Sequence, residues 1–229
     1  MDSFFNVWMM LYSFSLISSY MDWFHNFNYS LLLGVLFFVL FIFVYLLGGI
    51  MFCKNKKVEY HMGELFCSLL PVLILVFQMI PSLSLLYYYG LMNMSSSLSL
   101  KVTGHQWYWD YEYGSLGVYF DSYMKSLDEL SAGDFRLLEV DNRCMVPYDM
   151  NVCVVFSSAD VIHSWAIPSL FIKMDSMSGV LSTLFYKFSI LGVYYGQCSE
   201  ICGVNHSFMP IVVEVGGMSS FLNWVNLMV

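Results

Sequence analysis

The chain has 229 residues, of which 59% are hydrophobic and only 11% charged, and its net charge is −8. A soluble domain carries about a quarter charged residues, so a large part of this chain is expected in lipid. The acidic balance excludes nucleic acid as a partner and favours a basic protein.

Residues 1–30 are aromatic and polar, with Trp8, Trp23, Phe24, His25 and Tyr29 and no lysine or arginine. They show neither the positive start and small-residue cleavage site of a secretory signal nor the arginines of a transit peptide. Trp23 and Tyr29 fit an interfacial aromatic belt or a short surface helix. Leu31 to Ile50 then supplies twenty uncharged residues, the length that a bilayer core of about 30 Å demands at helical rise. Two membrane helices are predicted, over about 28–53 and 64–89, within an N-terminal segment ending at residue 91. Pro71, Gln78 and Pro81 are tolerable in the second where neighbouring helices satisfy freed backbone groups. Lys54, Lys56 and Lys57 mark the retained side of the membrane and put the remainder on the outer side. Glu64 at the mouth of the hairpin and Gln78 within it suggest protein neighbours or a water-filled path, although an acid in a first turn also suits the helix dipole.

Residues 92–229 hold 13 acids against 6 bases, a net charge of −7. Here the period changes to two. Leu98, Leu100 and Val102 alternate with polar residues, and Trp107, Trp109, Tyr111 and Tyr113 continue the pattern opposite Gln106, Tyr108, Asp110 and Glu112. Further strands are predicted at 135–140, 151–157, 179–188, 192–197 and 210–215, and a short amphipathic helix at 219–228. The fold class is therefore a membrane α hairpin followed by an all-β sandwich or barrel. Cys53, Cys67, Cys144 and Cys153 lie in or beside apolar stretches, as buried unpaired cysteines do.

Cys198, Cys202, His206 and Met209 fall in one loop, with His163 some distance upstream. Thiolate with imidazole suits zinc or copper, and an added thioether favours copper. A mononuclear blue-copper site needs one cysteine, whereas two can bridge two metals, each with a terminal imidazole, leaving Met209 and a main-chain carbonyl as weak outer ligands. A structural Cys2His2 zinc and a Cys198–Cys202 disulfide remain open on spacing alone.

The runs Gly104-His-Gln-Trp-Tyr-Trp109, Leu138-Glu-Val-Asp-Asn-Arg143, Asp160-Val-Ile-His-Ser-Trp-Ala-Ile-Pro-Ser169 and Tyr194 to Pro210 resemble cytochrome c oxidase subunit II. The resemblance implies a cupredoxin-like domain in which His163, Cys198, Cys202, His206 and Met209 hold a dinuclear CuA centre, the carbonyl of Glu200 making the sixth contact. It implies that the Glu200 carboxylate reaches a magnesium ion shared with subunit I. Trp107 takes the place of the residue receiving electrons from cytochrome c, where packing alone would read it as a core aromatic. Glu64 takes the place of the acid at a proton path, and His105 reads as structural. The implied setting is the mitochondrial inner membrane, with the β domain in the intermembrane space and cytochrome c, subunit I and other oxidase subunits as partners. The chain departs from the family in lacking several acids after its aromatic run, in Ala159 where an acid is common, and in Met177-Ser178-Gly179, where a proline is often found. The docking surface is therefore expected to be weaker, or to depend on Asp110, Glu112, Asp121, Asp141 and Asp160. A zinc module would give Met209 no use, and a quinol oxidase subunit of this fold would not need the two cysteines.

Overall fold

The computed structural model describes residues 16–49, 59–91 and 95–229. Among these residues two helices, α1 (Leu16–Gly49) and α2 (His61–Leu91), precede ten strands and a final helix. The predicted end of the first span at 50–53, the three lysines of the connection and Trp8 lie outside the described residues.

Helix α1 begins at Leu16, well before the predicted start, because Tyr20 to Tyr29 continue the helix rather than forming a separate surface segment. Both helices contain stretches long and apolar enough to cross a bilayer, 31 and 30 residues with hydropathies of 2.9 and 2.2. Their apolar side chains, Phe37, Phe41 and Leu73 among them, stand exposed in the isolated chain. Gln78 finds its partner within the hairpin: its Nε2 donates to Asn28 Oδ1 at 2.9 Å, so neither amide faces hydrocarbon unpaired. Tyr20 meets Tyr88 edge-on at 5.9 Å. Glu64 sits in the first turn of α2, exposed, with its carboxylate 3.6 Å from His61 Nδ1.

Residues 95–229 build two five-stranded sheets. The first runs β3 (Val118–Ser122), β2 (Tyr108–Tyr113), β1 (Leu98–His105), β5 (Asn151–Ser158), β8 (Ser182–Lys187). The second runs β4 (Cys144–Pro147), β10 (Pro210–Gly216), β9 (Gly192–Cys198), β6 (His163–Ile167), β7 (Ile172–Ser176). The pairs β1–β5 and β10–β4 are parallel and the rest antiparallel. Between the sheets Trp109, Tyr111, Tyr113, Phe156, Trp165 and Tyr186 are fully buried. Burial of aromatic side chains of 150–250 Å² each, at roughly 25 cal/mol per Å², dominates the stability of such a core. Helix α3 (Met218–Met228) inserts Phe221 and Val225 against it.

The long aromatic run is not one strand. It folds back at Gln106–Trp107, where the chain has a cis peptide bond, and β1 pairs with β2 through His105↔Tyr108. Trp109, Tyr111 and Tyr113 face the core as the alternation predicts, while Trp107 leaves it for the turn. The predicted strand at 135–140 is absent. The amides of Leu138 and Glu139 turn back to the Phe135 carbonyl, Leu137 takes a positive φ of 68°, and only Val140 bridges to Met124. Strands β4 and β6 were not predicted because all of their residues are buried, so they carry no alternation. Strands β3 and β7 are only five residues long.

Candidate metal centre

The loop leaving β9 and the strand β6 bring the expected donors together. Trp165 on β6 pairs in register with Cys198 at the end of β9, which carries His163, two residues earlier on the same face, to the loop. Both thiols are buried and unbonded, with their sulfurs 3.9 Å apart, so the disulfide reading falls. His163 Nδ1 lies 3.9 Å from Cys198 Sγ, and His206 Nδ1 lies 3.5 Å from Cys202 Sγ. Met209 Sδ stands 3.5 Å from Cys202 Sγ, and the Glu200 carbonyl 3.4 Å from Cys198 Sγ.

An imidazole thus stands against each sulfur, and His206 also interacts with Cys198. Ligand atoms of His163, Cys198 and Cys202 lie within 4.8 Å of one another, and that cluster does not include His206. A tetrahedral zinc would need all four donors around one point. Two adjacent thiols with two imidazoles and a thioether are instead a donor set that suits soft ions.

The electrostatics prepare the site for thiolate. Burial raises the Cys198 thiol, but hydrogen bonds from His163, from the backbone around Glu200 and Ser164, and from His206 bring it below the ordinary cysteine range. Burial and the charge of Cys198 hold Cys202 above that range. His163 is raised: burial opposes the shift, and its bonds to Cys198 and Asp160 outweigh it.

The neighbours of the ligands come largely from the β1–β2 turn. Trp109 meets the His163 ring edge-on at 5.8 Å, and its Nε1 is 3.4 Å from the Met209 carbonyl. Gln106 Nε2 donates to the Cys202 carbonyl at 2.7 Å. Gly104 leaves room for the His163 ring, since a Cβ there would stand 2.7 Å from it. Trp107 sits beside the metal loop, with its Nε1 buried and without a hydrogen-bond partner among the described residues.

The five candidate docking acids face different ways. Asp160 turns inward: Oδ1 meets His163 Nε2 at 2.8 Å and accepts from the Val161 amide, and Oδ2 accepts from the Gln106 amide at 2.7 Å. Asp110 is buried, with Oδ2 2.6 Å from His105 Nε2. Glu112 pairs with Lys101 at 3.0 Å. Asp121 and Asp141 remain at the surface, accepting from Tyr119 and from the amides of Tyr123 and Asn142. The Glu200 backbone faces the thiols, and its carboxylate makes no hydrogen bond or ion pair among the described residues.

Sequence reasoning gave no role to Glu139, whose side chain is 1% exposed and holds Arg143 through two bonds of 2.9 and 3.0 Å. Tyr195 donates to the same carboxylate, and Arg143 reaches on to Glu214 at 3.3 Å, which ties β4, β9 and β10 together below the loop. The i,i+4 spacing of Glu139 and Arg143 was a visible signal. Gln106 gave none, because its partner is 96 residues away.

A family model for the periplasmic domain of cytochrome c oxidase subunit II matches residues 98–216. The chain is 63% identical over 225 residues to cytochrome c oxidase subunit 2 of Ascaris suum, covering 98% of this chain and 97% of that one. It is 61% identical over 225 residues to the Caenorhabditis elegans protein of the same name, again covering 98% and 97%. The crystal structure of the periplasmic domain of subunit II of cytochrome oxidase from Bradyrhizobium japonicum superposes with a TM-score of 0.56 at 40% identity, covering 60% of this chain and 96% of that one. Two apolar helices, a cupredoxin-like sandwich and this agreement over nearly the whole length make the chain a member of the cytochrome c oxidase subunit II family, a subunit of a haem-copper oxidase.

Proposed function

We propose that this chain accepts single electrons from cytochrome c at a dinuclear copper centre, CuA, and passes them to haem in subunit I, where oxygen is reduced and protons are translocated. Two adjacent sulfurs with an imidazole against each, His163 at Cys198 and His206 at Cys202, carry this reading. Cys198, Cys202, His163 and His206 would hold the two coppers, with Met209 and the Glu200 carbonyl as weaker donors, and coppers so held would supply a one-electron store.

The chain's own residues do the rest. Trp107, against the metal loop and partly exposed, receives the electron at the surface. Burial of both thiols, of His163 and of Met209 keeps water from those donors, while His206 is partly exposed. The free Glu200 carboxylate is a hard oxygen donor of the kind magnesium takes, and supports an ion shared with subunit I. Glu64, exposed beside His61, is the acid at the mouth of the proton path. The setting is the mitochondrial inner membrane, with the β domain in the intermembrane space.

Metal analysis and electron paramagnetic resonance of the full chain in detergent test the centre. Two coppers per chain sharing one unpaired electron are expected, and Cys198→Ser or Cys202→Ser should collapse the signal. A single copper with an unshared hyperfine pattern, or one zinc, would remove the reading.

A further inference from the structure

The turn that carries Trp107 is fastened to the metal loop at two polar points. The Gln106 side chain donates to the Cys202 carbonyl at 2.7 Å, and the Gln106 amide donates to Asp160, whose other oxygen meets His163. Neither bond holds the indole itself. Trp107 Nε1 is buried with no hydrogen-bond partner among the described residues, so the ring is located by shape. The shape is supplied by Gly203, one residue after Cys202. A Cβ at residue 203 would stand 3.0 Å from Trp107 Cζ2, 3.3 Å from its Nε1 and 3.1 Å from Gln106 Nε2. These distances are tighter than ordinary van der Waals contact, and the atoms in the way are a rigid ring and a hydrogen-bonded amide.

We propose that Gly203 is a positioning residue: the absence of a side chain there seats the Trp107 indole on the backbone that follows Cys202, and Gln106 clasps the turn in that position. The seat sets the distance between the surface indole and a ligand of the metal centre. This inference rests on the reading of Trp107 as the residue that receives the electron. Gly203 also has a φ of +126°, a conformation that disfavours any side chain, so a substitution could act through backbone strain alone. The two causes differ in one respect. Contact with the indole vanishes when the indole is removed, and strain at residue 203 does not.

The test uses the full chain in detergent, copper-loaded and labelled with 5-fluorotryptophan, the Trp107 resonance being identified by its loss in Trp107→Phe. Gly203→Ala should move that resonance toward a solvent-exposed position. Reduction by cytochrome c, expressed per loaded centre, should fall severalfold, because electron transfer weakens steeply as the indole moves away from the metal loop. In a Trp107→Ala background, Gly203→Ala should cause no further fall. Gln106→Leu, which makes no demand on φ, should move the same resonance in the same direction, and serves if Gly203→Ala fails to load copper. An unmoved resonance in both variants, or an equal further loss in the Trp107→Ala background, overturns the proposal. A resonance that moves while the rate per centre holds leaves the seat in place and removes Trp107 from the electron path.

Discussion

The β domain contains two acid–imidazole pairs that are chemically alike and structurally opposite. In one, His163 is fully buried and its partner Asp160 is one-third exposed; in the other, Asp110 is 9% exposed and His105 stands further out at 22%. Both acids meet Nε2, at 2.8 and 2.6 Å. What separates them is the rest of the ring. His163 presents Nδ1 to Cys198, whereas His105 stacks on Tyr108 at 4.5 Å, which in turn stacks on Tyr123. A carboxylate at Nε2 favours the tautomer with a free Nδ1, and that lone pair becomes a ligand only where soft donors already converge. The same acid–imidazole pairing therefore sits against the thiols in one place and in a surface stack in the other.

The largest test of this contrast removes each imidazole. His163→Ala should abolish the two-copper signal, while His105→Ala should keep two coppers per chain and an unchanged spectrum. Loss of copper in both would mean that the β1–β2 turn, and not the ligand set, decides loading.

A smaller effect follows at the acids. Asp160→Asn keeps the size of the side chain and weakens its hold on His163 and on the Gln106 amide. Copper affinity should fall by about 10- to 100-fold, as it does when a carboxylate behind a ligating histidine is changed. Competition with a copper chelator measures this. Asp110→Asn should leave that affinity alone and instead lower stability by about 1–3 kcal/mol, the range for a buried bond to a charged group, read from denaturant midpoints. If both variants lost only stability, Asp160 would have no special relation to the centre.

The sequence made the donors legible because their chemistry is in their identity. Two cysteines, two histidines and a methionine have few shared uses, and alternation in β1 and β5 showed which faces are buried. What it hid was direction. Asp160 and Asp121 are both acids on the outer domain, and nothing in their identity says that one points into the site and the other out of it. The turn at Gln106–Trp107 was hidden for a related reason: alternation runs unbroken through it, so the hairpin looked like one strand. Glu139 was hidden by its charge, since an acid with 1% exposure is expected only where an arginine meets it, and that meeting needs the fold.

The smallest expected effect lies at the surface, where direction also decides which acids a partner meets. A net charge of −7 over residues 92–229 should steer a basic cytochrome at rates that fall with ionic strength. Asp141 and Asp121 use their oxygens as acceptors from local groups, and asparagine retains an oxygen in the same place, so Asp141→Asn and Asp121→Asn remove charge with little change in structure. Each should lower association by about two- to fivefold at low salt, an effect that closes toward 1 M salt, where the screening length is about 3 Å. Asp110→Asn removes the same formal charge from a buried position beside His105, and should flatten the salt dependence less. Stopped-flow reduction by cytochrome c at several salt concentrations separates the two. Equal slopes for the Asp110 and Asp121 variants would show that steering follows net charge alone, and that the outward direction of Asp121 and Asp141 has no bearing on where the cytochrome lands.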